Sequence, residues 1–304
     1  MKKLLNLALV AAIAISSFSS CAQNEPAKEA VKKEIGLQLY SVRSLMGSHV
    51  ASDTYNSNYV EVLQKLADMG YTGVEAAGYK DGQFYNTSPE EFKKNVESVG
   101  MKVISSHATK ALSKEELASG DFSESLKWWE SCIAAHKAAG MKYIVTPWLS
   151  VPESKADLET EVKYLNEIGK LCKQAGLKYG YHNHSHEFTK VEDVVMLDYM
   201  IENTDPENVF FELDVYWTVI GKASPVDYFK KYPGRFSALH IKDHREIGQS
   251  GMVGFDAIFA NTETAGVENI FVELEEVTND LDQGLQESID YLKNADFVKE
   301  TYSK

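Results

Sequence analysis

From about residue 34 onward, short apolar runs alternate with longer segments in which apolar residues recur every three or four positions. The short runs predict buried β-strands, and the longer periodic segments predict amphipathic helices. The pattern predicts eight strands, at Ile35–Tyr40, Gly73–Ala76, Lys102–His107, Tyr143–Thr146, Leu177–Asn183, Val209–Val215, Phe236–Ile241 and Asn269–Leu274. The clearest helices are predicted at Tyr59–Met69, Pro89–Val99, Ser123–Ala139 and Asp157–Ala175.

Each of these four helices ends at a glycine, namely Gly70, Gly100, Gly140 or Gly176, and a predicted strand follows within a few residues. Glycine adopts the left-handed conformation that stops a helix at little cost. A regular strand–helix alternation without a long linker predicts one (β/α)8 TIM barrel over residues 34–304, an α/β fold. The alternative is an open doubly wound sheet. That fold would call for a glycine-rich loop after the first strand, where Ser41-Val42-Arg43 stands instead.

The N-terminus has the pattern of an export signal. Met1-Lys2-Lys3 precedes an apolar run from Leu4 to about Ile15, and Phe18-Ser19-Ser20 precedes Cys21. We expect a signal peptide over residues 1–20, lipidation of Cys21 and a flexible tether over residues 21–33. The protein would then be exported and held in the cell envelope, facing the periplasm, with the lipid anchor as its only membrane contact. Plain cleavage near Ala22 is the alternative.

Composition narrows the choice of partners. The formal net charge of −14 argues against a nucleic-acid partner, because proteins that bind phosphate backbones carry a basic surface. The hydrophobic content of 44% is sufficient for a full core. Cys132 and Cys172 show neither redox-motif nor zinc-finger spacing, so we predict buried free thiols, with one disulfide as the alternative.

Polar side chains gather where a barrel places its chemistry, at the C-terminal ends of the strands. They are Gln38 and Tyr40, Glu75, His107, the segment 181–188, Asp214, His240 and Lys242, and Glu273 and Glu275. Side chains alternate along a strand, so His182 shares a face with His184, His240 with Lys242, and Glu273 with Glu275. An Asp, a His and a Glu that converge at one barrel mouth suit Mn²⁺, Mg²⁺, Co²⁺ or Zn²⁺.

Each of these polar residues, taken alone, can also have a purely structural role. Asp214 can cap the next helix, and His107 can be a packed, hydrogen-bonded histidine. Four successive strand ends that carry ligand-type side chains are nevertheless unusual by chance. We therefore predict a site for one divalent metal ion.

Several motifs together resemble the xylose-isomerase-like barrel superfamily, which includes sugar phosphate isomerases/epimerases, inosose dehydratases and endonuclease IV. They are Gly-Leu-Gln-Leu-Tyr-Ser-Val-Arg at 36–43, Tyr-His-Asn-His-Ser-His-Glu-Phe at 181–188, Glu-Leu-Asp-Val-Tyr-Trp at 212–217, Leu-His-Ile-Lys-Asp at 239–243 and Val-Glu-Leu-Glu at 272–275. The resemblance covers the chain after the tether. It implies that Asp214, His240 and Glu273 bind the metal, and that His182 or Glu187 supplies a fourth ligand.

The resemblance also implies a carbohydrate substrate and a proton-abstraction chemistry. Glu273 is the expected base, and His184, Lys242 and His107 are the other candidate catalytic residues. His182 stands where many relatives have a glutamate, so two-base epimerisation lacks one clear partner.

We therefore expect a metal-dependent sugar isomerase or epimerase that acts on a small carbohydrate. One alternative is a lyase that cleaves 3-keto-glycosides by β-elimination, and another is a non-catalytic carbohydrate-binding lipoprotein. The sequence leaves the oligomeric state open.

Overall fold

Eight parallel strands close into one barrel in the computed structural model, which describes residues 32–46 and 58–303. The strands are β1 (Gly36–Gln38), β2 (Gly73–Ala76), β3 (Lys102–His107), β4 (Tyr143–Thr146), β5 (Lys178–His182), β6 (Val209–Asp214), β7 (Ala238–Ile241) and β8 (Asn269–Val272). Each strand pairs with its neighbours in the chain, and β8 closes the barrel against β1. The predicted TIM barrel is confirmed.

Helices surround the barrel. They are α1 (Tyr59–Met69), α2 (Pro89–Ser98), α3 (Lys114–Ser119), α4 (Ser123–Ala138), α5 (Lys155–Ala175), α6 (Met196–Asn203), α7 (Val215–Ile220), α8 (Pro225–Lys231), α9 (Phe255–Ala260), α10 (Thr262–Ala265) and α11 (Leu281–Asn294). Gly70 and Gly176 end α1 and α5 in the left-handed conformation, with φ of 112° and 84°. Their glycine endings are therefore confirmed.

The first strand is shorter than the sequence pattern predicts. It ends at Gln38, because Leu39–Val42 form a 3-10 turn. The side-chain oxygen of Gln38 accepts a hydrogen bond of 3.0 Å from the backbone N–H of Tyr40 and so stabilises the start of this turn. The turn brings Tyr40 to the barrel mouth, where it lines a cavity.

Aromatic rings fill the barrel interior below the mouth. Phe210 on β6 and Phe271 on β8 belong to a small interior cluster, separate from the larger core between strands and helices. A Cβ atom at Gly36 would lie 2.5 Å from the Phe271 ring, and one at Gly180 would lie 2.5 Å from the Phe210 ring. Only glycine fits these two positions without displacing a ring. The rings therefore form an apolar floor beneath the polar residues of the mouth.

Cys132 and Cys172 are buried free thiols, as predicted. Burial raises the pKa of the Cys172 thiol, which keeps it protonated. The predicted signal peptide and Cys21 lie outside the described residues. Among the residues that the structure describes, no helix is long and apolar enough to cross a membrane.

An ion-pair cluster at the N-terminal face gives a first testable prediction. Lys142 and Lys178 each donate to Glu268 over 2.7 Å, and the Tyr143 hydroxyl donates over 2.6 Å. Burial opposes ionisation of Glu268, but these hydrogen bonds outweigh it and lower its pKa to about 2. Glu268→Gln is expected to lower the free energy of unfolding by about 1 kcal/mol at neutral pH.

The pH dependence follows from this lowered pKa. The stabilisation is complete above the ordinary glutamate pKa of 4.5 and is lost as the pH falls towards 2. Urea unfolding of both proteins at pH 7 and pH 3 measures the difference. A difference as large at pH 3 as at pH 7 would contradict the ion-pair explanation. Glu130→Gln on the exposed surface of α4 is the matched control.

Candidate metal centre

Four successive strands bring four ligand-type side chains together at the C-terminal mouth. His182, Asp214, His240 and Glu273 each offer one ligand atom, and these atoms lie within 4.8 Å of one another. All four residues are buried. Asp214 Oδ2, His240 Nδ1 and Glu273 Oε2 are buried and make no hydrogen bond among the described residues. Unsatisfied buried polar atoms are costly, so this donor set fits a divalent cation with oxygen and imidazole ligands.

Asp214 caps the next helix and also belongs to the converging group. Its Oδ1 accepts the backbone N–H of Trp217 over 2.7 Å and so caps α7. Its Oδ2 stays unpaired and belongs to the converging group. The backbone N–H of Asp214 donates to Asn183 Oδ1 over 3.2 Å, which ties the end of β6 to the end of β5. The cap therefore fixes the orientation of the carboxylate.

A second layer of buried carboxylates lies behind the group. Glu75 Oε2 is 2.7 Å from His240 Nε2 and also accepts from Gln38 Nε2 over 2.8 Å. Glu212 Oε2 is 3.1 Å from the same His240 nitrogen. A carboxylate on one imidazole nitrogen fixes the ring and leaves the other nitrogen for a metal. Here that other nitrogen is Nδ1 of His240, which makes no hydrogen bond among the described residues and lies 3.4 Å from Glu273 Oε2.

The role of Glu212 was not predicted from the sequence. Glu212 stands two residues before Asp214 on β6, so strand alternation places both side chains on the same face. This signal could have identified it. Glu75 was noted at a strand end but was given no role.

His107 belongs to the second layer and not to the four-residue group around Asp214. Its Nε2 is 3.1 Å from Glu212 Oε2 and 3.2 Å from Glu75 Oε2. Burial disfavours the charged imidazole, but the two carboxylates outweigh it and raise the pKa of His107 to about 9. His107 also offers a ligand atom to a second buried group with His182, Glu212 and His240. A positive imidazole here offsets part of the negative charge of the two carboxylates.

The carboxyl groups of Asp214 and Glu273 lie close together at the mouth, so the charge of Glu273 disfavours ionisation of Asp214. Burial raises the pKa of Asp214, and the neighbouring Glu273 adds to this effect, whereas Lys242 opposes it. For Glu273 burial also opposes ionisation, but Lys242 and His240 outweigh it and lower the pKa. Lys242 Nζ lies 3.8 Å from Glu273 Oε2 and 3.4 Å from Glu275 Oε1. The positive charge of Lys242 therefore favours an ionised Glu273.

The two alternatives for the fourth ligand, His182 and Glu187, make different contacts in the structure. Glu187 is buried, and its carboxylate accepts from the Tyr181 hydroxyl over 2.7 Å and from the His184 backbone N–H over 2.9 Å. It belongs to neither of the converging groups among the described residues, whereas His182 belongs to both. The carboxylate of Glu187 thus holds the loop that carries His184.

A cavity of about 440 Å³ opens over the group. His182, His184, His107 and Glu273 line its polar side, and aromatic residues that include Tyr40, Tyr79, Trp128 and Trp148 line the rest. Burial, together with neighbouring histidines, lowers the pKa of His184 to about 4 although Glu273 opposes this, so its imidazole is neutral at pH 7. A concave site with aromatic walls and a few convergent polar groups suits a small ligand.

Fold and site together define a TIM-barrel protein with a buried His/Asp/Glu group at its C-terminal mouth. Residues 63–295 match the model of the xylose isomerase-like TIM barrel family. The chain belongs to this family, as the resemblance of its motifs indicated.

Solved structures and curated relatives agree with this membership. A sugar phosphate isomerase/epimerase from Parabacteroides distasonis is 33% identical, with a TM-score of 0.79 over 91% of this chain and 99% of that chain. The 3-keto-D-glucoside 4-epimerase from E. coli is 20% identical, with a TM-score of 0.64 over 87% of this chain and 100% of that chain, and shares the fold.

Among the curated relatives is an inosose dehydratase from Geobacillus kaustophilus, 24% identical over 216 residues. That match covers 66% of this chain and 64% of the dehydratase. These relatives are thus named as sugar phosphate isomerases/epimerases and inosose dehydratases, and both isomerase/epimerase and lyase chemistry fit this family.

Proposed function

We propose that the protein is a divalent-metal-dependent enzyme that removes a proton next to the carbonyl group of a carbohydrate. The observation that carries this proposal is the set of buried ligand atoms without a hydrogen bond on Asp214, His240 and Glu273, next to a ligand-sized cavity that Glu273 and His182 line. His182, Asp214, His240 and Glu273 would hold the ion. Such an ion, when bound, supplies a Lewis acid that polarises the carbonyl oxygen of the substrate.

Glu273 is the proposed base. It lines the cavity, and the charges of Lys242 and His240 favour its carboxylate form. An ionised carboxylate beside the bound sugar can accept the proton on the carbon next to the carbonyl. The charge of Lys242 stabilises the Glu273 carboxylate, and the charge of His107 offsets part of the charge of Glu75 and Glu212.

The placement of bases distinguishes isomerase or epimerase chemistry from elimination. The described carboxylates that line the cavity, Glu273 and Glu275, both follow β8. Epimerisation needs a second group that returns the proton from the opposite side of the sugar ring. His184 follows β5 and is the proposed second group. Loss of a leaving group from the neighbouring carbon needs only Glu273, which favours β-elimination of a 3-keto-glycoside as the second candidate.

We propose that the ring in this cavity is uncharged. Among the described residues that line the cavity there is no lysine or arginine. A phosphate group is usually held by basic side chains or by a helix N-terminus. The aromatic walls instead suit the apolar face of a sugar ring.

Solvent deuterium exchange tests the proposed function directly. We expect the metal-loaded protein in deuterium oxide to exchange the proton next to the carbonyl in a ketohexose or in methyl 3-keto-glucoside. Exchange should stop after treatment with a chelator and return when Mn²⁺, Co²⁺, Mg²⁺ or Zn²⁺ is added. The products seen by NMR separate isomerisation, epimerisation and elimination. No exchange with any of these keto-sugars by the metal-loaded protein would contradict the proposal.

A further inference from the structure

A second cavity, of about 580 Å³, lies beside the one over the candidate metal centre. The two cavities share Thr109 and Trp148, which follow β3 and β4. The second cavity continues from there between the start of α5 and the segment around α3, where Leu112 and Leu117 line it. The two cavities are therefore adjacent, with the half-exposed Trp148 at the edge that they share.

Trp148 forms the wall between the two cavities. Its ring lies 4.2 Å from the His186 ring and 4.9 Å from the His184 ring, centroid to centroid. His186 is itself fixed, since its Nε2 lies 2.8 Å from the carbonyl oxygen of Leu149. Trp148 nevertheless stays 50% exposed, and Val151 in the same loop is 42% exposed. Large apolar side chains held in place at an open cavity are typical of a binding surface.

A residue that lines the second cavity also carries a buried oxygen without a hydrogen bond among the described residues. Glu161 on α5 lines the cavity, and its Oε2 is buried without a hydrogen bond among the described residues. Burial, with a smaller contribution from Asp157, raises the pKa of Glu161 to about 7. A carboxyl group in this state exchanges hydrogen bonds readily with hydroxyl groups, as donor or as acceptor.

The charges of the second cavity exclude an anionic ligand. Glu153, Asp157 and Glu161 line it, against one lysine, Lys114. A phosphorylated or carboxylated group would meet net repulsion here. An uncharged group with hydroxyls and one apolar face fits both the carboxyl groups and the exposed Trp148 and Val151 surfaces.

We propose that the second cavity is a subsite for an uncharged second sugar ring, so that the enzyme takes a disaccharide or a longer glycoside. This inference rests on the proposed function, because it takes the first cavity as the place where the reacting ring binds. It goes further by assigning Trp148, Val151 and Glu161 to a ring that takes no part in proton abstraction. In this arrangement, Trp148 lies between the reacting ring in the first cavity and the second ring in the second cavity.

Paired sugar probes test the subsite in the full-length chain. Titration calorimetry would compare maltose, cellobiose, trehalose and lactose with methyl α-glucoside, methyl β-glucoside and methyl β-galactoside. We expect at least one disaccharide to bind about tenfold or more tightly than the corresponding methyl glycosides. Val151→Asp places a charge in the subsite and is expected to abolish this difference, while the affinity for the methyl glycosides stays the same.

Ile220→Asp is the matched control, because Ile220 is 36% exposed and lines neither cavity. This variant should keep the preference for the disaccharide. Glu161→Ala should reduce the preference several-fold, and Glu161→Gln should restore part of it. Equal affinities of wild-type protein for the two sets of probes, including no measurable binding of either, would overturn the subsite. So would a Val151→Asp variant that keeps the preference.

The subsite and the proposed function can fail separately. Metal content and deuterium exchange report on the first cavity, whereas the ratio of disaccharide to methyl-glycoside affinity reports on the second. A protein that exchanges the proton of a keto-sugar but shows no preference for two rings would overturn only the subsite. A protein that prefers two rings but shows no exchange would retain the subsite and overturn the enzymatic proposal.

Discussion

Asp214→Ala is expected to weaken divalent-metal binding by roughly 100-fold or more. The substitution removes the unpaired Oδ2 and leaves three ligands, His182, His240 and Glu273. His240→Ala should have a similar effect, because it removes the Nδ1 that Glu75 orients from behind. Metal content of the purified proteins by mass spectrometry, followed by titration against a chelating dye, measures both losses without reference to any substrate.

Glu187→Gln is the informative control for this prediction. Glu187 is as deeply buried as Asp214, but its carboxylate is already bound by the Tyr181 hydroxyl and the His184 backbone. We expect Glu187→Gln to retain its metal and His182→Ala to lose it. The opposite pattern would make Glu187 the fourth ligand. Stoichiometric metal in a correctly folded Asp214→Ala protein, with folding checked by circular dichroism, would contradict the assignment of the site.

The barrel could be predicted from the sequence because its signals are local. Apolar periodicity and the glycines after the helices depend on neighbouring residues alone, and they placed all eight strands. The exact end of β1 could not be predicted in this way. It depends on the Gln38 side chain, which binds the backbone of Tyr40 and turns the chain after three strand residues.

The ligand-type residues were also found from local signals, since each stands at the end of a predicted strand. The second layer of Glu75, Glu212 and His107 was not found from these signals, because it depends on contacts across the barrel. Glu75 and His240 are separated by 165 positions in the chain and meet only when the barrel closes. In the same way, the sequence left His182 and Glu187 as equal alternatives. The difference between them lies in the hydrogen bond from Tyr181, which no periodicity reveals.

Glu273→Gln is expected to slow proton abstraction by about 1000-fold, a typical loss for a general base. The amide keeps an oxygen for the metal but cannot accept a proton. Metal affinity should therefore fall much less than in Asp214→Ala. The measurement is the rate of deuterium incorporation next to the carbonyl at saturating metal, with the metal content of the same sample determined in parallel.

His184→Gln separates the two reaction classes within the same assay. If His184 returns the proton on the opposite side of the ring, His184→Gln should block epimerisation, while Glu273 still exchanges the proton on its own side. If the reaction is an elimination, product formation should survive in His184→Gln and fail only in Glu273→Gln. Glu273→Asp keeps a carboxylate and should recover part of the lost rate. Undiminished exchange in metal-loaded Glu273→Gln would show that the base lies elsewhere in the cavity, and His184, with its neutral imidazole, would then take that role.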